Sequence, residues 1–250
     1  MDQQQEIQDE RYFLPYHYMD FESDEANLLN LVEYKSRIRR VIEIIKEYMP
    51  CAENMLDVGC GDGRFCYEAK EIENRVGIDI SNKAITWARL LNPDCTFYSE
   101  PISSLIHFHE YFDTVVCIET LEHIPIEDIQ GFLVQIRQCI KPGGLAIFTI
   151  PSTYHPVEKK HYQHFSVETI SQALAPNFEI KKIEGFSPQR GSFSRHLKWI
   201  SRISHYSFPF RSKLGFFATV SRLYSDSAYK YLVQSDSSIS SGLIAICVKN

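Results

Sequence analysis

Glycines at three alternate positions follow a short apolar segment of this sequence. The segment Met55–Val58 (MLDV) is followed by Gly59, Gly61 and Gly63, and an acid, Asp79, ends the next apolar segment. Glycine lets the backbone turn sharply and approach a ligand closely, because it has no Cβ. An acid that ends the second strand can accept hydrogen bonds from both hydroxyls of a ribose. The pattern therefore predicts a site for a nucleoside-type cofactor.

The spacing of the glycines, together with two nearby acids, argues against a dinucleotide. A dinucleotide-binding loop has its third glycine three residues after the second, where it permits close helix packing beside a pyrophosphate. Here Gly63 comes two residues after Gly61, and the carboxylates of Asp57 and Asp62 would repel phosphate groups. A nicotinamide-dependent dehydrogenase is therefore disfavoured. A glycine-rich turn without any ligand is the remaining alternative.

Length and composition indicate an ordinary globular protein. The chain has 250 residues, 44% of them hydrophobic, which suits one α/β domain with an appendage. No apolar run reaches the roughly 20 residues that span a bilayer, and the first residues lack the basic and apolar regions of a signal peptide. Seven cysteines without a Cys-x-x-Cys pair are typical of buried thiols in a reducing compartment. We therefore expect a cytoplasmic protein.

Charge is unevenly distributed along the chain, although the net charge is only −6. Residues 1–33 carry nine acids and one base, whereas residues 186–234 carry eight bases and one acid. A basic stretch of this kind can meet an anionic substrate, a nucleic acid or a membrane surface. A solvated face, or a partner for the acidic N-terminal segment, explains the basic stretch equally well.

Apolar segments alternate with helical patterns through most of the chain. Residues 26–48 have apolar positions at helical spacing, which predicts an amphipathic helix. The alternation that follows predicts a parallel, doubly wound sheet. The predicted strands span residues 55–59, 75–80, 95–98, 112–118, 145–150, 178–185 and 242–249, and the predicted helices span 63–71, 82–91, 126–140 and 167–175.

A long insertion separates the last two predicted strands. Its length is about 55 residues, whereas an ordinary hairpin loop has about 2 to 5. It is rich in aromatic residues, and we expect a helical cap that covers the active site and helps to select the substrate. A cover for the sheet edge and an oligomer interface are the alternatives. The expected organisation is an N-terminal helical segment (1–49), a main domain (50–185 with 241–250) and a cap-like insertion (186–240).

The loop Gly59–Gly63, with Asp79 after it, resembles that of class I S-adenosylmethionine-dependent methyltransferases. The segments Cys117–Ile124 (CIETLEHI) and Ile140–Gly144 (IKPGG) are similar to those of the branch that includes ubiquinone-biosynthesis O-methyltransferases. The resemblance covers about residues 50–185 and the final strand. It implies a Rossmann-like α/β fold with a doubly wound, mostly parallel seven-stranded sheet and a helical insertion before the last strand.

The resemblance also implies which residues hold S-adenosylmethionine. Asp57 and the glycines would hold its methionine part, Asp79 its ribose hydroxyls, and Ile80 its adenine. Glu100 lies where the family usually has an acid or amide, commonly Asp, beside the adenine amino group. Backbone around Ile118 would border the sulfonium. The implied cofactor-binding residues are thus Asp57, Gly59, Gly61, Gly63, Asp79, Ile80, Glu100 and Ile118.

Two histidines are candidates for catalysis. Methyl transfer from a sulfonium is an in-line displacement, so the protein chiefly aligns donor and acceptor and, where needed, removes the acceptor's proton. His123 follows the strand 112–118, and histidine titrates near neutral pH. His164, with His155 and His161, is expected on a substrate-facing loop, and the prediction is that His123 and His164 converge near the sulfonium. The alternative is that these histidines only form the pocket wall.

The segment that contains His123 also suggests a metal site. If this segment is helical, Glu119 lies within reach of Glu122 and His123, and His164 would complete the ligand set. The arrangement resembles that of metal-dependent small-RNA 2′-O-methyltransferases, and some ubiquinone-pathway enzymes share the Glu-x-x-Glu-His. A Mg²⁺-like ion would bind the acceptor hydroxyl and lower its pKa. The alternative is a metal-free pocket shaped by the same residues.

Taken together, these features predict a methyltransferase that acts on a small molecule, at oxygen, with S-adenosylmethionine as the methyl donor. RNA is the alternative acceptor, although no dense basic run or known RNA-binding module supports it. From a different class, the alternative is a cofactor-binding regulator without catalysis.

Overall fold

A seven-stranded sheet forms the centre of the structure, a computed structural model that describes residues 10, 12, 26–154, 156–188, 226, 228–233 and 236–250. The strands are β1 (Asn54–Val58), β2 (Asn74–Ile78), β3 (Thr96–Tyr98), β4 (Phe112–Ile118), β5 (Ile140–Pro151), β6 (Glu179–Pro188) and β7 (Ser240–Val248). The helices are α1 (Ala26–Tyr48), α2 (Arg64–Glu68), α3 (Asn82–Leu91), α4 (Ile129–Cys139) and α5 (Val167–Leu174). Four short 3-10 turns cover Ile102–Ser104, Ile106–Phe108, Leu121–His123 and Ile126–Asp128.

The strand order is β3-β2-β1-β4-β5-β7-β6, with β1 to β5 parallel and β7 antiparallel to both of its neighbours. The order reverses between β1 and β4, so the chain runs outward from the centre in both directions. This confirms the predicted doubly wound, mostly parallel seven-stranded sheet, and β6 and β7 form an antiparallel pair at its edge. Ligands of such sheets bind beyond the carboxyl ends of the strands, at the point where the order reverses.

Two apolar clusters, one on each face of the sheet, form the core. Helices α4 and α5 contribute to one cluster, through residues such as Leu133 and Ile170, and helices α1, α2 and α3 contribute to the other. Neighbouring residues of β4 belong to different clusters, for example Val115 and Val116, because side chains alternate across a strand. Burial on both faces explains why the central strands are almost continuously apolar.

The first helix, α1, spans Ala26–Tyr48, as the apolar spacing predicted. It packs on the sheet through Val41 and Ile44, both fully buried. Arg40 also donates two hydrogen bonds, of 2.8 and 2.9 Å, to the carboxylate of Glu184 on β6. The side chains of this ion pair are about 11% and 10% exposed, so the contact fixes α1 against the far edge of the sheet.

The predicted cap lies mostly outside the described residues, which omit 189–225, 227 and 234–235. Residues 228–233 are helical, and Leu232 of this segment is buried against the second apolar cluster. The flanking strands are longer than expected, because β6 continues to Pro188 and β7 begins at Ser240. The division of the chain into three parts stays a prediction. Within the described ranges, no helix is long and apolar enough to cross a bilayer.

Gly63 gives a test of how tightly the glycine loop is packed. Its φ is 80°, and a Cβ there would lie 2.7 Å from Asn92 Nδ2 and 2.9 Å from Phe97 Cζ. Gly143 has a similar φ of 75°, but a Cβ there would have no neighbour within 4 Å. We expect Gly63→Ala to lower the free energy of unfolding by about 3 kcal/mol, the sum of left-handed strain and overpacking. Gly143→Ala should cost only about 1 kcal/mol.

Urea unfolding of the two variants and the wild type measures these costs. Equal destabilisation by the two substitutions would contradict the packing argument, because only backbone strain is common to both positions.

Candidate functional site

A cavity of about 520 Å³ lies at the carboxyl ends of β1, β2 and β4. It therefore occupies the point where the strand order reverses, the usual position of a ligand site in an open α/β sheet. Its walls come from the glycine loop, the residues after β2 and β4, helix α1, Tyr12 and the loop that contains Lys160 and Tyr162. The size is in the range of pockets that enclose small-molecule ligands and cofactors.

Two of the three predicted glycines line this cavity. Gly59 and Gly61 have φ values of 76° and 53°, which side chains rarely adopt. A Cβ on Gly59 would lie 2.2 Å from the hydroxyl oxygen of Thr120, and a Cβ on Gly61 would lie 2.6 Å from the hydroxyl oxygen of Tyr12. These positions thus need glycine both for the backbone turn and for close approach to the residues around the cavity.

Gly63 differs from the other two glycines, because it does not line the cavity. It precedes the first residue of α2, and its missing side chain makes room for Asn92 and Phe97. The expectation that Gly63, like Gly59 and Gly61, helps to hold a ligand stays a prediction. Gly63 allows the helix to pack closely against the end of α3 and β3.

Asp79 follows β2 directly and is held in one orientation by the backbone. Its Oδ2 accepts a hydrogen bond of 3.0 Å from the Gly61 N–H, and its Oδ1 accepts one of 2.8 Å from the Ser81 N–H. The carboxylate therefore joins the glycine loop to the end of β2 at the cavity wall. Ile80 and Glu100 line the cavity beside it, and Ile80 is 53% exposed. The exposed side chain of this isoleucine offers an apolar surface on which an apolar group of a ligand can pack.

Asp57 lies at the same end of the sheet but is almost fully buried. Burial, with a smaller contribution from the nearby charge of Asp79, raises its pKa to about 8. The thiol of Cys66 donates a long hydrogen bond to Asp57 Oδ2, 3.8 Å between the heavy atoms. Asp62, also buried, lines the same part of the cavity. Several acids around a partly enclosed space favour a ligand that carries positive charge.

Tyr12 is a cavity residue that the sequence analysis did not identify. Its side chain is buried, and its hydroxyl lies beside Gly61. Its carbonyl accepts a hydrogen bond of 3.1 Å from the indole N–H of Trp87 on α3. Burial, together with Asp79 and Asp62, raises the pKa of the Tyr12 hydroxyl well above its usual value. The only sequence signal was a group of aromatic residues inside the acidic N-terminal segment.

The segment after β4 does not form the helix on which the predicted metal set depended. Glu119 has a φ of 50°, and only Leu121–His123 form a 3-10 turn. The Glu119 carboxylate lies 3.3 Å from the guanidinium of Arg37, on α1, and accepts a hydrogen bond of 3.2 Å from the Thr149 hydroxyl. Ile118 and Glu119 line the cavity, and the position of a sulfonium beside this backbone stays a prediction.

His123 lines the cavity and has a defined tautomer. Its Nδ1 lies 3.0 Å from the carbonyl oxygen of Lys160. Because a carbonyl can only accept, Nδ1 carries the proton, and Nε2 has the lone pair in the neutral ring. Burial lowers the pKa of His123 below its usual value. The geometry therefore gives a neutral imidazole that can accept a proton at Nε2.

His164 does not converge with His123 at the cavity. His161 and His164 are both buried, neither lines the cavity, and His161 Nδ1 lies 2.8 Å from His164 Nε2. The ring of His161 lies edge-on to that of His123, with 4.7 Å between centroids. The described geometry thus differs from the expected convergence of His123 and His164, because His161 is the ring in contact with His123; a catalytic role of His164 stays a prediction. His155 lies outside the described residues.

One group of described residues has the spacing of a metal-ligand set. Ligand atoms of Glu122, His123 and His161 all lie within 4.8 Å of one another. This set keeps two of the predicted ligands but replaces Glu119 and His164 with His161. Glu122 is buried, burial raises its pKa well above the usual value, and its Oε2 has no hydrogen-bond partner among the described residues.

The donor atoms of this set suit some ions better than others. Mg²⁺ prefers an octahedral set of oxygen ligands, whereas two imidazoles with one carboxylate suit divalent transition ions such as Zn²⁺, Mn²⁺ or Fe²⁺. A bound metal ion would neutralise the charge of the buried Glu122 carboxylate, and protonation would neutralise it equally well. The residues therefore do not fit the predicted Mg²⁺, and they are compatible with a transition ion or with a protonated Glu122.

The pKa of Asp57 gives a test of this electrostatic description. In the unfolded chain the carboxyl ionises near its usual pKa of about 4, and in the folded protein it ionises near pH 8. Between these values only the unfolded state releases the proton, so stability falls as the pH rises. Relative to Asp57→Asn, the wild type should lose about 1.4 kcal/mol of unfolding free energy per pH unit between pH 5 and 8.

Urea unfolding at pH 5, 6, 7 and 8, without cofactor, measures the difference. Asp94→Asn, a substitution at an exposed acid away from the cavity, is the control and should follow the wild type at every pH. Parallel profiles for the wild type and Asp57→Asn would show that Asp57 is not the buried acid described above.

Part of the chain is similar to known methyltransferases. The family model described as a methyltransferase domain matches residues 56–148, which run from β1 to β5. A ubiquinone biosynthesis O-methyltransferase of Hydrogenovibrio crunogenus is 35% identical over 115 residues, 43% of this chain and 47% of that protein. The chain thus spans about half the length of the curated relatives it matches.

Solved structures resemble this chain over nearly its whole length. The N-methyltransferase NodS of Bradyrhizobium japonicum, in complex with S-adenosyl-L-homocysteine, matches with a TM-score of 0.65 and 13% identity, over 99% of each chain. The magnesium protoporphyrin IX methyltransferase of Synechocystis, with bound S-adenosylmethionine, matches with a TM-score of 0.61 and 15% identity, over 100% of this chain and 98% of that one. At these identities the likeness shows a shared fold.

The matched segment, the sheet order and the two glycines at the cavity all agree with the resemblance found in the sequence. Residues 56–148 therefore match a methyltransferase domain, part of the chain is similar to part of ubiquinone biosynthesis O-methyltransferases, and the chain shares its fold with solved methyltransferases.

Proposed function

We propose that the protein transfers a methyl group from S-adenosylmethionine to an oxygen atom of a small molecule. The observation that carries the proposal is the acidic cavity at the carboxyl ends of β1 and β2, with Asp79 oriented by the glycine loop. The names of the curated relatives support oxygen as the acceptor atom. The relatives with bound S-adenosylmethionine or S-adenosylhomocysteine support the cofactor.

The cofactor's charge matches the acids around the cavity. S-adenosylmethionine carries a sulfonium and an ammonium against one carboxylate, so its net charge is positive. In the proposed pose the ribose hydroxyls bind Asp79, and adenine lies against Ile80 with Glu100 nearby. The methionine part lies over Gly59 and Gly61, within reach of Asp57. A cation beside Asp57 favours the ionised carboxyl and so lowers its raised pKa.

Methyl transfer then needs an aligned acceptor and a place for its proton. The acceptor oxygen attacks the methyl carbon in line with the sulfonium, the new C–O bond forms as the C–S bond breaks, and S-adenosylhomocysteine leaves as a neutral thioether. In the proposal the hydroxyl proton passes to Nε2 of His123, while the Lys160 carbonyl holds Nδ1–H and stabilises the imidazolium. A buried imidazole with a lowered pKa suits an acidic hydroxyl, such as a phenol, better than an aliphatic one.

Calorimetric titration with S-adenosylhomocysteine tests the cofactor site without a known acceptor. We expect one molecule bound per chain, with affinity reduced at least tenfold in Asp79→Asn, because the variant weakens the acceptors for the ribose hydroxyls. Asp94→Asn is the matched control at an exposed acid and should bind like the wild type. No binding by the folded wild type, or equal binding by Asp79→Asn, would contradict the proposed cofactor site.

A metal-assisted reaction is the second candidate, favoured by the buried Glu122 oxygen that lacks a hydrogen-bond partner among the described residues. Glu122, His123 and His161 would hold the ion, which would act as a Lewis acid and lower the pKa of the acceptor hydroxyl. RNA remains the alternative acceptor, but the basic stretch that favoured it lies mostly outside the described residues.

Metal binding by the stripped protein separates these two mechanisms. The second candidate predicts that Zn²⁺ or Mn²⁺ binds once per chain, that Mg²⁺ does not, and that Glu122→Gln abolishes binding. Glu158→Gln, at an exposed glutamate outside the ligand group, is the control and should retain the metal. If equilibrium dialysis finds no bound ion at micromolar metal, the His123 base mechanism stands alone.

A further inference from the structure

The charged residues that line the cavity are divided between its two halves. The half at the ends of β1, β2 and β3 has acids and no base among the described lining residues: Asp57, Asp62, Asp79 and Glu100. The half beside β4 has two bases and one acid: Arg37, Lys160 and Glu119. The first half matches the cationic cofactor. The excess of positive charge in the second half lies where the acceptor must be placed, next to His123.

Lys160 is joined to the proposed base through its own backbone. Its carbonyl accepts from His123 Nδ1, so the lysine side chain starts beside the imidazole. Its Nζ lies 3.5 Å from Glu158, whose side chain is 60% exposed, whereas the Lys160 side chain is 26% exposed. An ion pair this open to solvent contributes little to stability. An anionic group of a ligand in the cavity can therefore replace Glu158.

Arg37 approaches the same half of the cavity from α1. One nitrogen lies 3.3 Å from the carboxylate of Glu119, and the guanidinium lies over the ring of Phe186, 5.4 Å from its centroid. A guanidinium has five N–H donors in a fixed plane, so one carboxylate does not use all of them. Its packing on Phe186 and Glu119 fixes the orientation in which the remaining donors meet a ligand.

Part of the cavity wall after His123 is apolar. Ile124, Pro125 and Phe132 line the cavity, as does Tyr162, two residues after Lys160. Such a wall suits a compact hydrocarbon or aromatic body rather than a chain of sugars or nucleotides. Charge at the rim and an apolar surface behind it are the usual features of a site for a small amphiphilic ligand.

Building on the proposed function, we propose that the methyl acceptor carries an anionic group, a carboxylate or a phosphate, which Lys160 and Arg37 bind. Its apolar body lies against Phe132, and its hydroxyl faces Nε2 of His123. The negative charge also lies close to the cofactor's sulfonium, which strengthens the binding of both ligands before the reaction. Lys160 and Arg37 thus select the acceptor by charge, while His123 takes its proton.

Equilibrium binding to the complex with S-adenosylhomocysteine tests this inference without turnover. The probes are 3-hydroxycinnamate, 3-hydroxyphenyl phosphate and the uncharged methyl ester of 3-hydroxycinnamate. We expect at least one anionic probe to bind ten times more tightly than the ester, which corresponds to about 1.4 kcal/mol. Lys160→Met should weaken the binding of the anionic probe at least tenfold and leave the affinity for the ester unchanged.

Lys159→Met is the matched control, because Lys159 is exposed and does not line the cavity, and it should bind all probes like the wild type. S-adenosylhomocysteine should bind Lys160→Met as it binds the wild type, which shows that the variant is folded. Ester binding as tight as that of the anions, an unaffected Lys160→Met, or no binding of any anionic probe would overturn the inference. Failure of S-adenosylhomocysteine itself to bind the wild type would instead overturn the proposed cofactor site.

Discussion

The hydrogen bonds between the Asp79 carboxylate and two backbone N–H groups determine the arrangement of the site. They tie the Gly61 backbone to the end of β2, and so hold the glycine loop open beside a fixed negative charge. Asp57 is the last residue but one of the neighbouring strand β1 and is buried close enough for the two charges to interact. Two acids at the ends of adjacent parallel strands are costly to ionise together, and a bound cation removes that cost. The fold thus favours a positively charged ligand at the point where parallel sheets bind ligands.

Helix α1 and the loop after β5 position the residues that form the other half of the cavity. Helix α1 is held to the sheet by buried apolar residues and by the Arg40–Glu184 pair, and it brings Arg37 to the end of β4. The loop after β5 brings the Lys160 carbonyl to His123 and fixes its tautomer. A proton acceptor, two cations and an apolar wall therefore meet beside the acidic half. This polarity supports a reaction between a cationic donor and an acceptor of opposite charge.

The sequence predicted the parts of the site whose chemistry is local. Gly59, Gly61 and Asp79 could be placed, because a strand, a turn with positive φ and a second strand follow one another directly in the chain. His123 could be placed because it follows β4. Tertiary packing decides the rest. Tyr12 lines the cavity although it is distant in the sequence from the other lining residues. The absence of a side chain at Gly63 makes room for Asn92 and Phe97. His161 occupies the position next to His123 where His164 was expected. Glu119 has a left-handed backbone conformation, so the expected helix does not form at this residue.

A crystal structure of the protein with S-adenosylhomocysteine tests the central claim most directly. The account predicts that the ribose hydroxyls bind the Asp79 carboxylate, that the homocysteine part lies over Gly59 and Gly61, and that its sulfur faces the half of the cavity that contains His123. A ligand bound elsewhere on the sheet, or one whose ribose does not contact Asp79, would contradict the account.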